Sequence, residues 1–446
     1  MSEHMNIPSS LPVVVIGAGP VGLAAAARLV ERGLPFLVLE RSAAVAAAPR
    51  AWGHVRLFSP WRYNVDAAAG ALLEAAGWAG PEPEDLPTGA ELTARYLEPL
   101  AAHPAIAPHL RLGADVDAVT RRGRDKMASS DREAAPLVVR WTDASGAPHR
   151  TAARAVIDAS GTTDQPNPMG VDGLPVAGEA QAAAAGRIAY GLPDVCGAAR
   201  GDYAGRRTLV VGSGHSAINL VLDLVRLRQD TGAGEILWAL RSGGVAKLRG
   251  GGLDDQLPER GALGLAVMDA VEAGRVRLLA PFAAERIATG AAILEIDATL
   301  EEAPTRLEVD RIIVATGFRP DLAMLREVRV ALDPAVEAPH RLAPLIDPNL
   351  HSCGTVPPHG AETLAHPEPD LFIVGAKSYG RAPTFLMATG YEQVRSVVAA
   401  LAGDHAAARE VRLVLPETGV CSAPAAAPAE VADCGCAPTR CCGAAA

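Results

Sequence analysis

A short β-branched run, Pro12–Ile16, stops at Gly17-Ala18-Gly19-Pro20-Val21-Gly22 and continues as an apolar helical stretch, Val21–Glu31. A second buried run, Phe36–Leu39, follows and ends in Glu40. This is a strand, a G-x-G-x-x-G turn, a helix and a strand in register. Gly17 permits the tight turn, Gly19 leaves room for a pyrophosphate against the backbone, and Gly22 lets helix and strand pack closely. The helix N-terminus, entered through Pro20, offers unpaired N–H groups and positive dipole to phosphates. Glu40 follows Gly17 by 23 residues, where a carboxylate can accept from a ribose hydroxyl.

The pattern recurs. Thr208–Val211 runs into Gly212-Ser213-Gly214-His215-Ser216-Ala217, then a helical stretch, Ser216–Arg228, and a second strand, Glu235–Leu240. Here the second strand ends in Arg241 rather than an acid, and a guanidinium at that position pairs with a 2′-phosphate, favouring NADPH over NADH. His215, inside the turn, reads as a neighbour of the pyrophosphate. Two dinucleotide sites in one chain imply an electron path from NADPH through a flavin to an acceptor.

The rest of the composition narrows the class. With 41 Lys+Arg against 51 Asp+Glu in 446 residues, the chain is acidic and has no basic cluster for nucleic acid. No uninterrupted apolar run is long enough to span a bilayer, and Met1–Ser10 lacks the order of a secretory signal, so a cytoplasmic protein with no membrane is expected. Five of seven cysteines, Cys421, Cys434, Cys436, Cys441 and Cys442, fall in the last 26 residues, unlike a secreted disulfide framework.

Between the two units, Leu110–Thr120 and Leu137–Thr142 read as strands joined by the polar loop Arg121–Ala134, and Ala155–Ala159 as a strand ending at Ser160-Gly161. After the second unit, Arg311–Ala315 ends at Thr316-Gly317, Leu371–Val374 ends at Gly375, and Tyr391–Ala402 is helical. The expected fold is α/β, with two Rossmann-like dinucleotide-binding domains, the NADPH domain of the second turn inserted in the domain of the first, and a disordered Cys-rich tail. The boundaries this gives are 10–165 and 311–415 for the first-turn domain, 166–204 for a linker, 205–310 for the NADPH domain and 416–446 for the tail.

These motifs resemble the two-dinucleotide-binding flavoproteins, the superfamily of thioredoxin reductases and flavin-containing monooxygenases. The resemblance implies FAD at the first turn and NADPH at the second. It also implies linker motifs at Ala159-Ser160-Gly161 and Ala315-Thr316-Gly317, and an adenine contact through the backbone of Val116. Three stretches, Trp52–Trp61, Cys353–Gly360 and Lys377–Phe385, look like the flavin-dependent monooxygenases of arsenic-resistance operons, as do Glu417–Cys421 and the tail after them. There is no CxxC pair near either turn, Gly375-Ala376 stands where many disulfide reductases carry Gly-Asp, and the F-x-G-x-x-x-H signature of Baeyer–Villiger enzymes is absent.

The residues expected to line the FAD site are Gly17, Gly19, Pro20, Gly22, Glu40, Arg41, Trp52, Val116, Gly161, Gly317 and Gly375; Gly212 to Ala217 and Arg241 serve NADPH. Oxygen transfer needs a dry pocket with a few donors. His54, Arg56, Cys353, Lys377, Tyr379 and Arg381 are the candidates, with Trp52, Phe58 and Trp61 to cover the ring system. Cys353 and His359 are close enough in sequence for a thiol to meet an imidazole. In the tail, Cys434, Cys436, Cys441 and Cys442 offer soft thiolates suited to trivalent arsenic. Three functions follow from these features. One is a monooxygenase taking a small soft-atom substrate and molecular oxygen. The others are a thiol or metalloid reductase working through the tail cysteines, and a metalloid-binding protein on a flavin scaffold.

Overall fold

Both glycine turns follow the central strand of a five-stranded parallel sheet. The structure is a computed structural model and describes residues 8–242, 257–350, 359–382 and 385–413. In chain order the strands begin with β1 (Val13–Ile16), β2 (Phe36–Glu40), β3 (Leu110–Leu112), β4 (Asp115–Arg121), β5 (Leu137–Thr142) and β6 (Pro148–Ala153). Then come β7 (Ala155–Asp158), β8 (Ile188–Tyr190), β9 (Arg207–Val211), β10 (Glu235–Ala239) and β11 (Arg277–Leu279). The last are β12 (Phe282–Thr289), β13 (Leu294–Leu300), β14 (Ala303–Val309), β15 (Arg311–Val314) and β16 (Leu371–Ile373).

The first sheet has the order β16-β7-β1-β2-β3 and the second β11-β10-β9-β15-β8. Every pairing in both is parallel. A strand buried on both faces is apolar where it is covered, which is why β1 and the Thr208–Val211 part of β9 read as unbroken β-branched and leucine runs. Alternate side chains go to opposite layers. Val13 and Val15 pack on the Pro20–Glu31 and Met387–Leu401 helices, whereas Val14 and Ile16 pack on the antiparallel sheet β4-β5-β6. The second unit repeats this plan. Val210, Trp238 and Ile313 meet the His215–Thr231 and Pro258–Glu272 helices, and Leu209, Leu237 and Ile312 meet the antiparallel sheet β12-β13-β14.

Several spans differ from the sequence reading. The stretch Leu110–Thr120 is two strands in two sheets, because Gly113, at φ +66°, turns the chain between β3 and β4. Ile188–Tyr190 in the linker and Arg311–Val314, assigned above to the returning first domain, are both strands of the second sheet, with β15 lying between β9 and β8. An apolar strand of four residues carries no local mark of which sheet edge it joins. The helix read at Tyr391–Ala402 begins at Met387, a turn earlier, and a short helix, His405–Arg409, follows it. No described helix is long and apolar enough to cross a membrane.

Candidate functional site

The two turns are built alike, and the likeness extends beyond the glycines. In the first unit the Ala159 N–H donates to the Ile16 carbonyl at 2.9 Å, and in the second the Ala315 N–H donates to the Val211 carbonyl at 2.8 Å. Each alanine then presents its own carbonyl to the neighbouring turn. A Cβ on Gly17 would lie 2.8 Å from Ala159 O, and one on Gly212 2.3 Å from Ala315 O. Both positions have positive φ, +96° and +132°. The motifs Ala159-Ser160-Gly161 and Ala315-Thr316-Gly317 are thus the second side of each crevice, and Gly161 and Gly317 leave them at φ +74° and +88°. In both sheets the turn sits at the carboxyl edge where connections leave the central strand in opposite directions, the usual place for a ligand.

The first crevice fits a dinucleotide in its local geometry. A Cβ on Gly22 would sit 2.0 Å from the Gly17 carbonyl, whereas one on Gly19 would meet no described residue within 4 Å. Gly22 is therefore demanded by the protein's own packing, and the space beside Gly19 is free for a phosphate. Gly19 caps the Pro20–Glu31 helix, with Pro20 in its first turn. The buried Glu40 carboxylate accepts from the Ala18 N–H at 2.7 Å and the Ser42 N–H at 2.9 Å, pinning the turn to the end of β2. Arg41, beside it, forms an exposed ion pair with Asp164 that reaches across from β2 to the loop after β7. Val116 lies where β4 shifts register against β5, opposite Trp141. The Gly375 N–H donates to Gln393 Oε1 at 2.7 Å, tying the end of β16 to the last long helix.

At the second turn, Gly214 caps the His215–Thr231 helix, and Ser213 and His215 are exposed at its start, Ser216 half-buried behind them. Ala217 is fully buried, as the third small residue of such a motif must be. The Trp238 indole N–H donates to the Gly212 carbonyl at 2.8 Å, and Arg241 is exposed beyond the end of β10.

The candidate donors separate. His54 and Arg56 are exposed. Arg56 Nη1 donates to the Leu86 carbonyl at 2.5 Å, while His54 faces Asp223, whose carboxyl pKa is pushed up by burial and drawn back by Arg226 and His54. Phe58, from the same segment, lies 5.4 Å from the His215 ring, so the first unit touches the second at its glycine turn. Trp61 is buried in the first core, and the Trp52 ring packs over Gly89. Tyr379 is buried between His359 and Phe385, and burial pushes its phenol well above the usual tyrosine range. Its ring belongs to the first core, among the apolar side chains of the Met387–Leu401 helix and β1. Arg381 is exposed, its backbone N–H bonded to the Val336 carbonyl. Cys353, Cys421, Cys434, Cys436, Cys441 and Cys442 lie outside the described residues.

Lys377 is not at the surface. Its Nζ is 2.7 Å from Asp158 Oδ2 and donates to Ser160 Oγ at 3.0 Å, with the lysine and aspartate side chains 1% and 0% exposed. Sequence reasoning missed Asp158, although a single acid closing the apolar run Ala155-Val156-Ile157 was a signal.

A family model for pyridine nucleotide-disulphide oxidoreductases matches residues 11–356, a span that takes in both turns. The chain belongs to that family. It is thereby an oxidoreductase of an FAD- and NAD(P)-dependent class. Among curated relatives of this pyridine nucleotide-disulphide oxidoreductase is the indole-3-pyruvate monooxygenase YUCCA1 of Oryza sativa subsp. japonica, 31% identical over 222 residues, 48% of this chain and 45% of the relative. The chain spans about half the length of the curated relatives it matches. Among solved structures, the bacillithiol disulfide reductase Bdr of Bacillus cereus superposes with a TM-score of 0.62 at 18% identity, covering 88% of this chain and 99% of that one. The FAD-bound cadaverine monooxygenase DfoA of Erwinia amylovora superposes with a TM-score of 0.61 at 15% identity, covering 92% and 98%. At these identities the superpositions speak for the fold.

Proposed function

We propose that this oxidoreductase holds FAD at the Gly17 turn and NADPH at the Gly212 turn, and acts as a monooxygenase on a small soft-atom substrate, an arsenical by the resemblance of its loops. The observation that carries the reading is the doubled crevice, with each glycine turn facing an Ala-Ser/Thr-Gly segment at a parallel sheet's carboxyl edge. FAD, when bound, supplies the two-electron redox chemistry between NADPH and oxygen. The balance is a hydride, with its two electrons, from NADPH and one proton from solvent, with one atom of molecular oxygen passed to the substrate and the other leaving as water.

The residues of this chain bind and orient. Gly17, Gly19, Pro20 and Gly22 form the FAD phosphate turn, Glu40 and Arg41 flank it, and Trp52, Val116, Gly161, Gly317 and Gly375 complete the site. Gly212, Ser213, Gly214, His215, Ser216 and Ala217 form the NADPH turn. Phe58 against His215 couples the first unit's loop to that turn. Among the described residues Cys196 is the single cysteine, and its Sγ lies 3.3 Å from the Asp223 carbonyl in the second unit. The sequence carries no CxxC pair near either turn, and this favours oxygen transfer over a dithiol centre of the thioredoxin-reductase kind.

NADPH oxidation that depends on a trivalent arsenical or a thioether, with an oxygenated product, is the expected result in air. Delivery of all electrons to hydrogen peroxide, whatever substrate is offered, would refute oxygen transfer. The reductase reading rests on the tail thiols. A chain ending at Thr418 is expected to keep its oxygenation, and loss of NADPH-dependent reduction on that truncation would favour the reductase.

Arg241 sets the nucleotide preference in this account. Removing a guanidinium paired with a 2′-phosphate costs a charged hydrogen bond, so Arg241→Ala is expected to raise KM for NADPH about tenfold and leave that for NADH nearly unchanged. Equal changes in both constants would contradict the assignment.

A further inference from the structure

Lys377 and Asp158 sit behind the first crevice and are used by nothing described so far. Asp158 closes β7 in register with Ile16 of β1 and Ile373 of β16, so its carboxylate stands at the carboxyl edge between two strand ends. Lys377 reaches it from the short turn Gly375–Tyr379 that follows β16. Ser160 completes a ring of contacts. Its hydroxyl donates to Asp158 Oδ1 at 2.7 Å and accepts from Lys377 Nζ at 3.0 Å, and its backbone N–H donates to the same Oδ1 at 3.1 Å. Both the backbone and the side chain of Ser160 are thereby fixed.

Ser160 faces the glycine turn directly. Its Cα lies 3.0 Å from where a Gly17 Cβ would be, and Gly161, next in the chain, has no described residue within 4 Å of its own Cβ position. His366 lies near Asp158, but burial drives its pKa down to about 4, so at neutral pH the counter-charge comes from Lys377. Asp158 Oδ2 accepts no aligned hydrogen bond from a described residue, although it touches the ammonium. A buried ion pair of this kind adds little stability over an apolar pair of equal size. Its effect is to order what it touches.

We propose that the buried Lys377–Asp158 pair is a positioning device for FAD, holding Ser160-Gly161 against the Gly17 turn so that the crevice is formed before the cofactor arrives. The inference rests on reading the Gly17 turn as the FAD site. Neither residue is a catalytic residue; both act through Ser160. Preorganisation of this kind is felt in affinity, because an unordered segment must be ordered by the ligand.

The test uses full-length protein freed of flavin and titrated with FAD by fluorescence quenching, with NADP+ affinity and the thermal midpoint of the apoprotein measured alongside. Wild-type apoprotein that binds no FAD refutes the FAD reading itself. If it binds, the double variant Asp158→Asn/Lys377→Met is expected to bind FAD about tenfold more weakly, the loss of one charged hydrogen-bond network, with NADP+ affinity and apoprotein midpoint unchanged. Lys377→Arg, made alone, keeps the charge and is expected to retain most of the wild-type affinity. Ser160→Ala, a half-exposed change that folding tolerates, is expected to weaken FAD in the same direction and serves should the double variant not fold. Unaltered FAD affinity in Ser160→Ala, or in a folded double variant, overturns the proposal, as does a parallel loss of NADP+ binding.

Discussion

Gly19→Ala is expected to leave the apoprotein as stable as wild type and to weaken FAD by about a hundredfold, whereas Gly22→Ala damages both protein and site. The two glycines are three residues apart and differ in what a methyl group would meet. At Gly19 the backbone is extended, with φ −78°, and an added Cβ has no described neighbour within 4 Å, so the folded chain accepts alanine without strain. The same methyl occupies the space a pyrophosphate needs beside the helix N-terminus. At Gly22 the methyl would stand 2.0 Å from the Gly17 carbonyl. Backbone cannot yield as a side-chain tip can, so the Pro20–Glu31 helix must lift from β1 or the turn must open, at roughly 1–3 kcal/mol or more. Flavin content after purification and the thermal midpoint of the apoprotein separate the cases. If Gly19→Ala retained full FAD affinity, the first turn would not be a phosphate site.

Glu368→Gln is the substitution expected to cost the most stability without touching either crevice. Glu368 is buried between two buried guanidiniums, accepting from Arg121 Nε at 2.7 Å and Arg132 Nη2 at 2.8 Å, and from the Arg329 N–H at 2.9 Å. This holds the loop after β4 against the segments around Arg329 and Pro369. Removing the carboxylate leaves two buried positive charges uncompensated, at about 3–5 kcal/mol. A lower urea midpoint with FAD affinity retained is the expected result, and an unchanged midpoint would contradict it.

The same cluster gives a pH dependence. Burial alone would raise the Glu368 carboxyl, but the bonds from Arg121, Arg132 and the Arg329 N–H outweigh it and hold the group below the usual glutamate value. A folded-state pKa below the unfolded one, about 4.3, contributes stability that is complete above that value and lost as pH falls through the folded one. Wild-type urea midpoints therefore fall below about pH 4 by more than those of Glu368→Gln. Parallel acid profiles would show that the cluster carries no such linkage.

Both glycine turns, their strands and their helices were legible in the sequence because each is set by local sterics and by periodicity within some twenty residues. The antiparallel sheets were less so. β13 carries an alternating pattern, Leu294-Glu295-Ile296-Asp297-Ala298, that would have found it, but β12 is interrupted by a register shift between Ala284 and Arg286 that breaks the alternation. Sheet membership of β8 and β15 is a tertiary fact, since β15 pairs with β9 a hundred residues earlier and β8 pairs with β15. The Lys377–Phe385 stretch reads as a source of donors to a dry pocket, because its charged and phenolic groups sit together in a glycine-containing loop. Lys377 instead pairs with an aspartate more than two hundred residues earlier, and Tyr379 goes into the core. Neither partner could be read from the neighbours of either residue.

The measurement that bears most directly on the two-site reading is an anaerobic titration of the FAD-loaded full chain with NADPH, followed by the flavin's visible absorbance. The two-site reading predicts that about one equivalent of NADPH bleaches the flavin, two electrons for two, and that NADH does so only at much higher concentration. A flavin that stays oxidised in excess NADPH would contradict it, since the Gly212 turn would then not deliver electrons to the Gly17 site.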